Sequence, residues 1–280
     1  MNIETALNKA CIILKQNGIQ SANLDSEILM SKILEKDKKF ILLNLKKELD
    51  KKNLIDFNKL INQRIKGKPI AYLVGVKSFW KYEFKVNENV LIPRPDTELL
   101  VEQVLKIFKN KKYINLLDVG VGSGCIILSI LKEKKYFKGT GIDLCPESLK
   151  ICKINANKLG VSQRISLFNS DVDNFNFGKY DLIISNPPYI NNLDLRKLNK
   201  DVKDFEPKLA LNGGFEGLSE IKKVVNRSSK LIKKKGKLIL EIAFDQKDKV
   251  KKLLKENNFY IDDIFQDLAK KDRCIVSTKI

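Results

Sequence analysis

The stretch that most constrains this chain is Lys179-Tyr180-Asp181-Leu182-Ile183-Ile184-Ser185-Asn186-Pro187-Pro188-Tyr189-Ile190. Its first half is an apolar, β-branched run that reads as a buried strand over 180–185. Two prolines then end it. Neither can donate to a sheet ladder and both fix φ, so the backbone past Ser185 must leave the sheet along a stiff path. Asn186 is therefore expected at the carboxyl end of a strand, with Tyr189 on the same rigid loop. In open α/β sheets that edge is where ligands bind. An Asn-Pro pair alone is an ordinary turn signal; Asn-Pro-Pro-Tyr directly after a buried strand is far less ordinary.

Composition excludes several kinds of chemistry. The 280 residues contain no histidine, so His-dependent triads, His metal sites and imidazole proton shuttles are ruled out. Five cysteines (Cys11, Cys125, Cys145, Cys152, Cys274) form no Cys-x-x-Cys pair, which argues against a disulfide framework and a zinc site; no metal is expected. A hydrophobic content of 43% with 31% charged residues describes a globular chain. No apolar run approaches the roughly 18 residues that span a bilayer, and Met1-Asn2-Ile3-Glu4 lacks a signal-peptide pattern, so the expectation is a cytoplasmic protein, or an organellar one that has lost a targeting segment, away from membranes. The formal charge is +19, with only six arginines among 53 basic residues. Such a charge would suit RNA or a partner that works on RNA. The lysines lie in every segment, however, which favours solvated faces over a nucleic-acid groove.

The organisation expected along the chain is a helical domain over 1–75, a β-hairpin linker over 76–96 and an α/β domain over 97–280. In the first, Ile3, Leu7, Ala10, Ile13 and Leu14 fall on one helical face, and Leu24, Ile28, Leu29, Ile33 and Leu34 on another. A third helix carries Leu54, Phe57, Leu60, Ile61 and Ile65, with Asp50 as N-cap and Gly67 as its stop. Recognition of a partner is the expected job of this bundle. Aromatic alternation from Phe79 to Val86 and the apolar Val90–Ile92, around Asn87-Glu88-Asn89, predicts a hairpin turning at those polar residues. Asp96 or Thr97 is then placed to cap a helix through Leu99, Leu100, Val104 and Ile107. Beyond residue 113, strands at 113–119, 137–142, 164–169, 180–185, 236–242 and 273–279 alternate with helices at 124–133, 147–159, 218–234 and 246–256. That order implies a Rossmann-like, mostly parallel sheet with helices on both faces. A hairpin of 258–265 with 273–279 would make one edge antiparallel.

Leu116-Leu117-Asp118-Val119-Gly120-Val121-Gly122-Ser123-Gly124 is a strand entering a glycine turn and then a helix. Glycines there tolerate positive φ and let the backbone approach a ligand. Asp143 ends the next strand, placed to accept both hydroxyls of an adenosine ribose, and Ser170-Asp171-Val172 follows the strand after, near an adenine edge. A dinucleotide fold would want G-x-G-x-x-G and a helix N-terminus free for pyrophosphate. Here the third glycine comes one position early and an acid starts the turn. A cofactor with an amino acid moiety and no phosphate fits better, namely S-adenosylmethionine. The cofactor residues expected are Gly120, Val121, Gly122, Ser123, Gly124, Asp143, Asp171, Val172 and Asn186. The constellation resembles class I methyltransferases.

In that superfamily such a loop resembles those of enzymes methylating planar amino or amide nitrogens, whose delocalised lone pairs make them poor nucleophiles. Asn186 and Pro187 would accept the two N–H groups while Tyr189 packs on the flat substrate. Adenine-N6 methyltransferases carry similar loops and remain the alternative on this motif alone. Four stretches occur in order here: Arg64-x-x-Gly67-x-Pro69-x-x-Tyr72-x-x-Gly75, Leu91-Ile-Pro-Arg-Pro-Asp-Thr-Glu98, Asn186-Pro-Pro-Tyr-Ile190 and Phe205-Glu206-Pro207-x-Leu209-Ala210-Leu211. With the helical N-terminal region they resemble the peptide chain release factor glutamine N5-methyltransferase family over essentially the whole chain. The resemblance implies that Asn186, Pro187, Pro188, Tyr189 and Glu206 hold the glutamine of a release factor's Gly-Gly-Gln motif, with Asn186, Pro187 and Tyr189 catalytic. It implies a class I release factor as partner and no nucleic-acid substrate; a monomer is the simplest expectation, with the oligomeric state left open. Arg94 and Glu98 would either buttress a cofactor lid or pair to pin the inter-domain linker; Glu206 would shape the substrate channel or cap a helix. Two departures stand out. Asp96 replaces a more usual Glu, and Asp267–Arg273 lacks the glycine expected in its hairpin, which leaves that turn's geometry open.

Overall fold

The computed structural model describes residues 1–280, which divide into two compact units. The first comprises residues 1–76 together with 199–205. Its helices are α1 (Ile3–Gln16), α2 (Ala22–Leu34), α3 (Lys38–Leu43), α4 (Lys51–Ile65) and α5 (Ile70–Val74). Three begin at side-chain caps: the Asn2, Asp37 and Asp50 carboxamide or carboxylate oxygens accept the Thr5, Phe40 and Asn53 amides at 2.9, 2.8 and 2.7 Å. The three long helices match the sequence pattern; α3 and α5 are too short to show a helical period. Ile3, Leu14, Leu29, Met30, Phe57 and Ile61 form the core of this unit. Ile13 and Leu24, assigned to the buried faces from the pattern, are instead 42% and 50% exposed. The buried stripe of α1 runs Ile3, Ala6, Ala10, Leu14, which turns Ile13 outward. Arg64 is structural: its Nε sits 2.7 Å from the buried Asp25 carboxylate, and its Nη1 also donates to the Lys68 carbonyl at 3.3 Å. Gly67, just past α4, has φ +102° and a Cβ there would come within 3.3 Å of the Phe205 ring.

The second unit comprises residues 77–198 and 206–280. Strands β1 (Val76–Phe79) and β2 (Tyr82–Lys85) form a two-stranded hairpin. Its turn lies at Trp80-Lys81 and not at Asn87–Asn89, where the sequence reading put it. Trp80 takes the left-handed φ of 57°, and the Trp80 indole and Tyr82 hydroxyl both donate to Glu133 at 3.0 Å. Asn87 closes only a local turn, accepting the Asn89 amide at 3.1 Å, and residues 90–92 leave the sheet. Buried Asn155 locks the hairpin down: it accepts the Lys85 amide and donates to the Lys85 and Ser123 carbonyls.

The remaining elements follow as α6 (Glu98–Ile107), β3 (Asn115–Val119), α7 (Cys125–Glu133), β4 (Lys138–Asp143), α8 (Pro146–Leu159), β5 (Ile165–Asn169), β6 (Tyr180–Ser185), α9 (Lys200–Phe205, part of the first unit), α10 (Ser219–Leu231), β7 (Ile232–Glu241), α11 (Lys247–Glu256), β8 (Phe259–Gln266) and β9 (Asp272–Lys279). Seven strands make one sheet in the order β5-β4-β3-β6-β7-β9-β8, parallel through β7 and antiparallel at the β7-β9-β8 edge. This is the expected α/β methyltransferase architecture. Leu116, Leu182, Ile184 and Ile239 face α6, α7 and α8, while Leu117, Ile183, Leu238 and Leu240 face α10 and α11. Both faces are covered, which is why these strands read as continuous apolar runs.

Two boundaries differ from the sequence reading. Helix α10 ends at Leu231, because Ile232 already pairs with Tyr180; a left-handed Lys235 and a register shift then carry β7 onward. The short helix α9 was not foreseen. The glycine-free turn at 267–271 works because Lys270 takes φ 58° and the Asp267 carboxylate accepts the Ala269 and Lys271 amides.

Candidate active site

The strand order reverses at β3, which has β4 on one side and β6 on the other. A crevice opens at the carboxyl ends of such strands. Three residue sets end there: the turn 120–124 after β3, Asp143 at the end of β4, and Asn186 after β6.

The glycines of the turn do different work. Gly120 and Gly122 have φ of +76° and +53°; a Cβ on Gly120 would meet nothing within 4 Å, and one on Gly122 only the Gly120 carbonyl at 3.9 Å. Their outer faces are open, a cradle that side chains would fill. Gly124, at φ +81°, is a packing glycine, since a Cβ there would lie 2.6 Å from both Cys152 Sγ and Leu128 Cδ1. Val121 and Ser123 turn inward. The Val121 side chain packs against Gly141, and Ser123 is buried, its carbonyl held by Asn155. Only their backbone could serve a ligand.

Asp143 stitches the turn to its strand. Its Oδ2 accepts the Gly122 amide at 2.8 Å and its Oδ1 the Cys145 amide at 2.9 Å. Burial raises its pKa, and those two amides oppose the rise. A carboxylate offers about four lone-pair sites, so acceptor capacity remains for hydroxyls of a ligand. Asp171 accepts the Asp173 amide and starts a short 3-10 turn over the buried Val172. Asp118 lies deeper than the reading of the turn assumed. Neither of its oxygens is hydrogen-bonded, and burial pushes its pKa up to about 7, opposed by the nearby Ile127 amide.

The loop after β6 is held at Asn186, Tyr189 and Ile190. Asn186 Nδ2 donates to Thr97 Oγ1 at 3.1 Å, and the Tyr189 hydroxyl donates to Glu241 Oε1 at 3.2 Å. The Tyr189 carbonyl accepts from Gln246 Nε2, which also binds the Gly217 carbonyl. Ile190 pairs with Leu211 and Gly213 through its amide and carbonyl. Within the chain, neither Asn186 Oδ1 nor the Pro187 carbonyl accepts a hydrogen bond. Pro188 continues the loop, its carbonyl so close to Gly213 that a Cβ there would lie 2.8 Å away. Burial, reinforced by Glu241, raises the Tyr189 pKa above the usual phenol range, so the hydroxyl stays a donor.

Glu206 is buried and fixes the segment before Thr97, accepting the Ile92 amide at 3.1 Å and pairing with the Arg94 guanidinium. Arg94 and Glu98 therefore do not pair: Glu98 instead accepts the Trp80 amide at 2.8 Å. Nor does Glu206 cap a helix.

Residues 5–75 match the model of the PrmC N-terminal domain, and 95–204 that of the methyltransferase small domain. A release factor glutamine methyltransferase of Clostridium acetobutylicum is 36% identical over 100% of this chain and 99% of its own length. One from Buchnera aphidicola is 38% identical over 100% of both. The chain belongs to the release factor glutamine methyltransferase family. Among solved structures, the ribosomal protein L11 methylase of Lactobacillus delbrueckii shares the fold with a TM-score of 0.53 at 18% identity, covering 73% of this chain and 90% of its own.

For this member of the family, the sequence reading missed Thr97, Glu241 and Gln246 as parts of the site. Thr97 was read as a helix cap, yet it makes no side-chain capping bond. Glu241 ends the apolar run of β7, the same signal that singled out Asp143, and is 1% exposed. Burial raises its pKa to about 7, opposed by the Thr97 hydroxyl, Arg273 and the Tyr189 hydroxyl, in that order. Arg273 is itself anchored by Asp267 at 3.0 Å.

Proposed function

We propose that this chain transfers a methyl group from S-adenosylmethionine to the side-chain amide nitrogen of the glutamine in the Gly-Gly-Gln motif of class I peptide chain release factors. The observation that carries the reading is the pair of unengaged acceptors, Asn186 Oδ1 and the Pro187 carbonyl, beside the open glycine cradle. A primary amide has two N–H donors and a delocalised lone pair. Two fixed acceptors orient it and return electron density to nitrogen, and proline contributes a carbonyl without a competing N–H. When bound, S-adenosylmethionine supplies an electrophilic methyl group. The backbone of 120–124 would take its amino acid end, with Asp143 on the ribose hydroxyls and Asp171 and Val172 beside the base. Tyr189 would cover the flat amide and keep water out, its ring set by the bond to Glu241.

The amide nitrogen sheds its proton only after transfer, so no strong base is required, in keeping with a chain that has no histidine. Residues 1–75 would recognise the body of the release factor, and the enzyme would act as a cytoplasmic monomer without a nucleic-acid substrate. No helix is long and apolar enough to cross a membrane.

The test is radiolabelled methyl transfer to a purified release factor, to the same factor with its Gly-Gly-Gln glutamine replaced, and to bulk RNA and DNA. Label on the first alone is expected. Label on nucleic acid would overturn the substrate, leaving an adenine-type amine methyltransferase.

A further inference from the structure

The chemistry above requires Asn186 to present its oxygen, yet a carboxamide can rotate half a turn about χ2 and present its NH2 instead. Nothing in Asn186 itself prevents this. The groups behind it do. Thr97 Oγ1 lies 3.1 Å from the Asn186 amide and is almost fully buried. A hydroxyl has one proton and two lone pairs. Glu241, buried at the end of β7, lies near this hydroxyl, and its buried Oε2 has no hydrogen-bond partner, so it is an acceptor toward which the Thr97 proton can turn. With the hydroxyl proton turned toward Glu241, Thr97 has only lone pairs left for Asn186, and the group facing it must be the NH2. The Thr97 backbone is helical, at φ −67° and ψ −19°, and continues the 3-10 turn Pro95–Thr97 into α6, so its hydroxyl has no capping duty there and is left for Asn186.

We infer that Thr97, backed by Glu241, locks the flip of the Asn186 carboxamide and thereby makes the site select an amide over a carboxylate. The inference rests on the substrate reading above. With the lock intact, Asn186 Oδ1 and the Pro187 carbonyl form a two-acceptor filter. A glutamine NH2 satisfies both. A glutamate carboxylate has no proton for either and meets only lone pairs. Released, Asn186 can offer its NH2, which a carboxylate accepts. Thr97 and Glu241 are thus positioning residues: they touch Asn186 and Tyr189, and act on the substrate through them.

Thr97→Val keeps the shape and removes the hydroxyl; Thr97→Ser keeps the hydroxyl. With release factor as substrate, Thr97→Val should lower kcat on the order of tenfold to a hundredfold, the scale of a misoriented reacting group. Affinity for S-adenosylhomocysteine in calorimetry should stay close to wild type, which also reports correct folding. As a competitor, the same release factor carrying Glu in place of the Gly-Gly-Gln glutamine should gain affinity for Thr97→Val and for Glu241→Gln relative to wild type. Thr97→Ser should recover most of the turnover and the discrimination. Equal impairment of the Val and Ser variants would overturn the proposal, as would unchanged discrimination in Thr97→Val. A readout without substrate separates this from the substrate reading. The Asn186 side-chain NH2 signals in ¹⁵N-resolved NMR should exchange slowly with solvent in wild type and faster in Thr97→Val. Slow exchange in both would refute the lock; a wild type that leaves the release factor unlabelled would refute the substrate alone.

Discussion

Glu241 should make this protein less stable as the solution becomes more alkaline, and Glu241→Gln should relieve that. The carboxyl is fully buried on the inner face of β7, and its pKa rises from 4.5 to about 7. Burial is the main cause; Asp96 adds to it, while the Thr97 hydroxyl, Arg273 and the Tyr189 hydroxyl oppose it. Cys274 across the strand pair and Cys125 at the start of α7 also lie within its field. A folded-state pKa above the unfolded one means that the neutral form belongs with the fold. That stability is present in full below the unfolded value and is lost as pH climbs through the folded one. At about 1.4 kcal/mol per pH unit, the raised pKa costs the fold about 3 kcal/mol above pH 8 and about 1 kcal/mol at pH 5, where only the unfolded chain would ionise. Gln is a permanent stand-in for the neutral form. Urea titrations of wild type and Glu241→Gln at pH 5 and pH 8 should show the variant gaining on wild type by about 2 kcal/mol across that interval. Asp118 and Asp143, whose pKa values are also raised, are common to both proteins and cancel in the difference. A gap that stays constant with pH, or narrows, would refute the assignment. The same variant should lose methyl transfer, so that stability and activity move in opposite directions.

Other perturbations separate the remaining roles. Asn186→Ala should abolish methyl transfer while cofactor affinity falls only modestly in calorimetry; near-normal turnover would sink the two-acceptor mechanism. Asp143→Ala should weaken cofactor binding by on the order of tenfold or more, since it removes a hydrogen-bonding partner and unties Gly122; unchanged affinity would take that role away. Arg64→Met strands the buried Asp25 carboxylate and should destabilise the first unit by about 3 kcal/mol, read as an earlier denaturation midpoint, without touching the chemistry of the β6 loop.

What could be read in advance followed from residues whose backbone setting declares them. Prolines 187 and 188, the turn at 120–124 and an acid ending β4 each announce a strand end, and strand ends are where such sheets work. Thr97 was legible as a residue type but not as a role, because its hydroxyl serves Asn186, far along the chain, instead of the nearest helix. Glu241 needed the knowledge that β7 lies beside β6, which is a matter of strand order and not of local pattern. The hairpin turn was misplaced for a related reason. Asn87–Asn89 has the better turn chemistry, but Glu133 and Glu98 gather Trp80 and Tyr82 from outside the hairpin.

The first unit also has a property of timing. Its helices α1 to α5 are complete by residue 74, but α9, which belongs to the same unit, comes off the ribosome only after most of the sheet has been made. Phe205, the neighbour of Gly67, is therefore absent while the five helices fold. A nascent chain must carry this unit one helix short through the synthesis of β1 to β6, and a fragment cut after residue 76 would keep that gap for good.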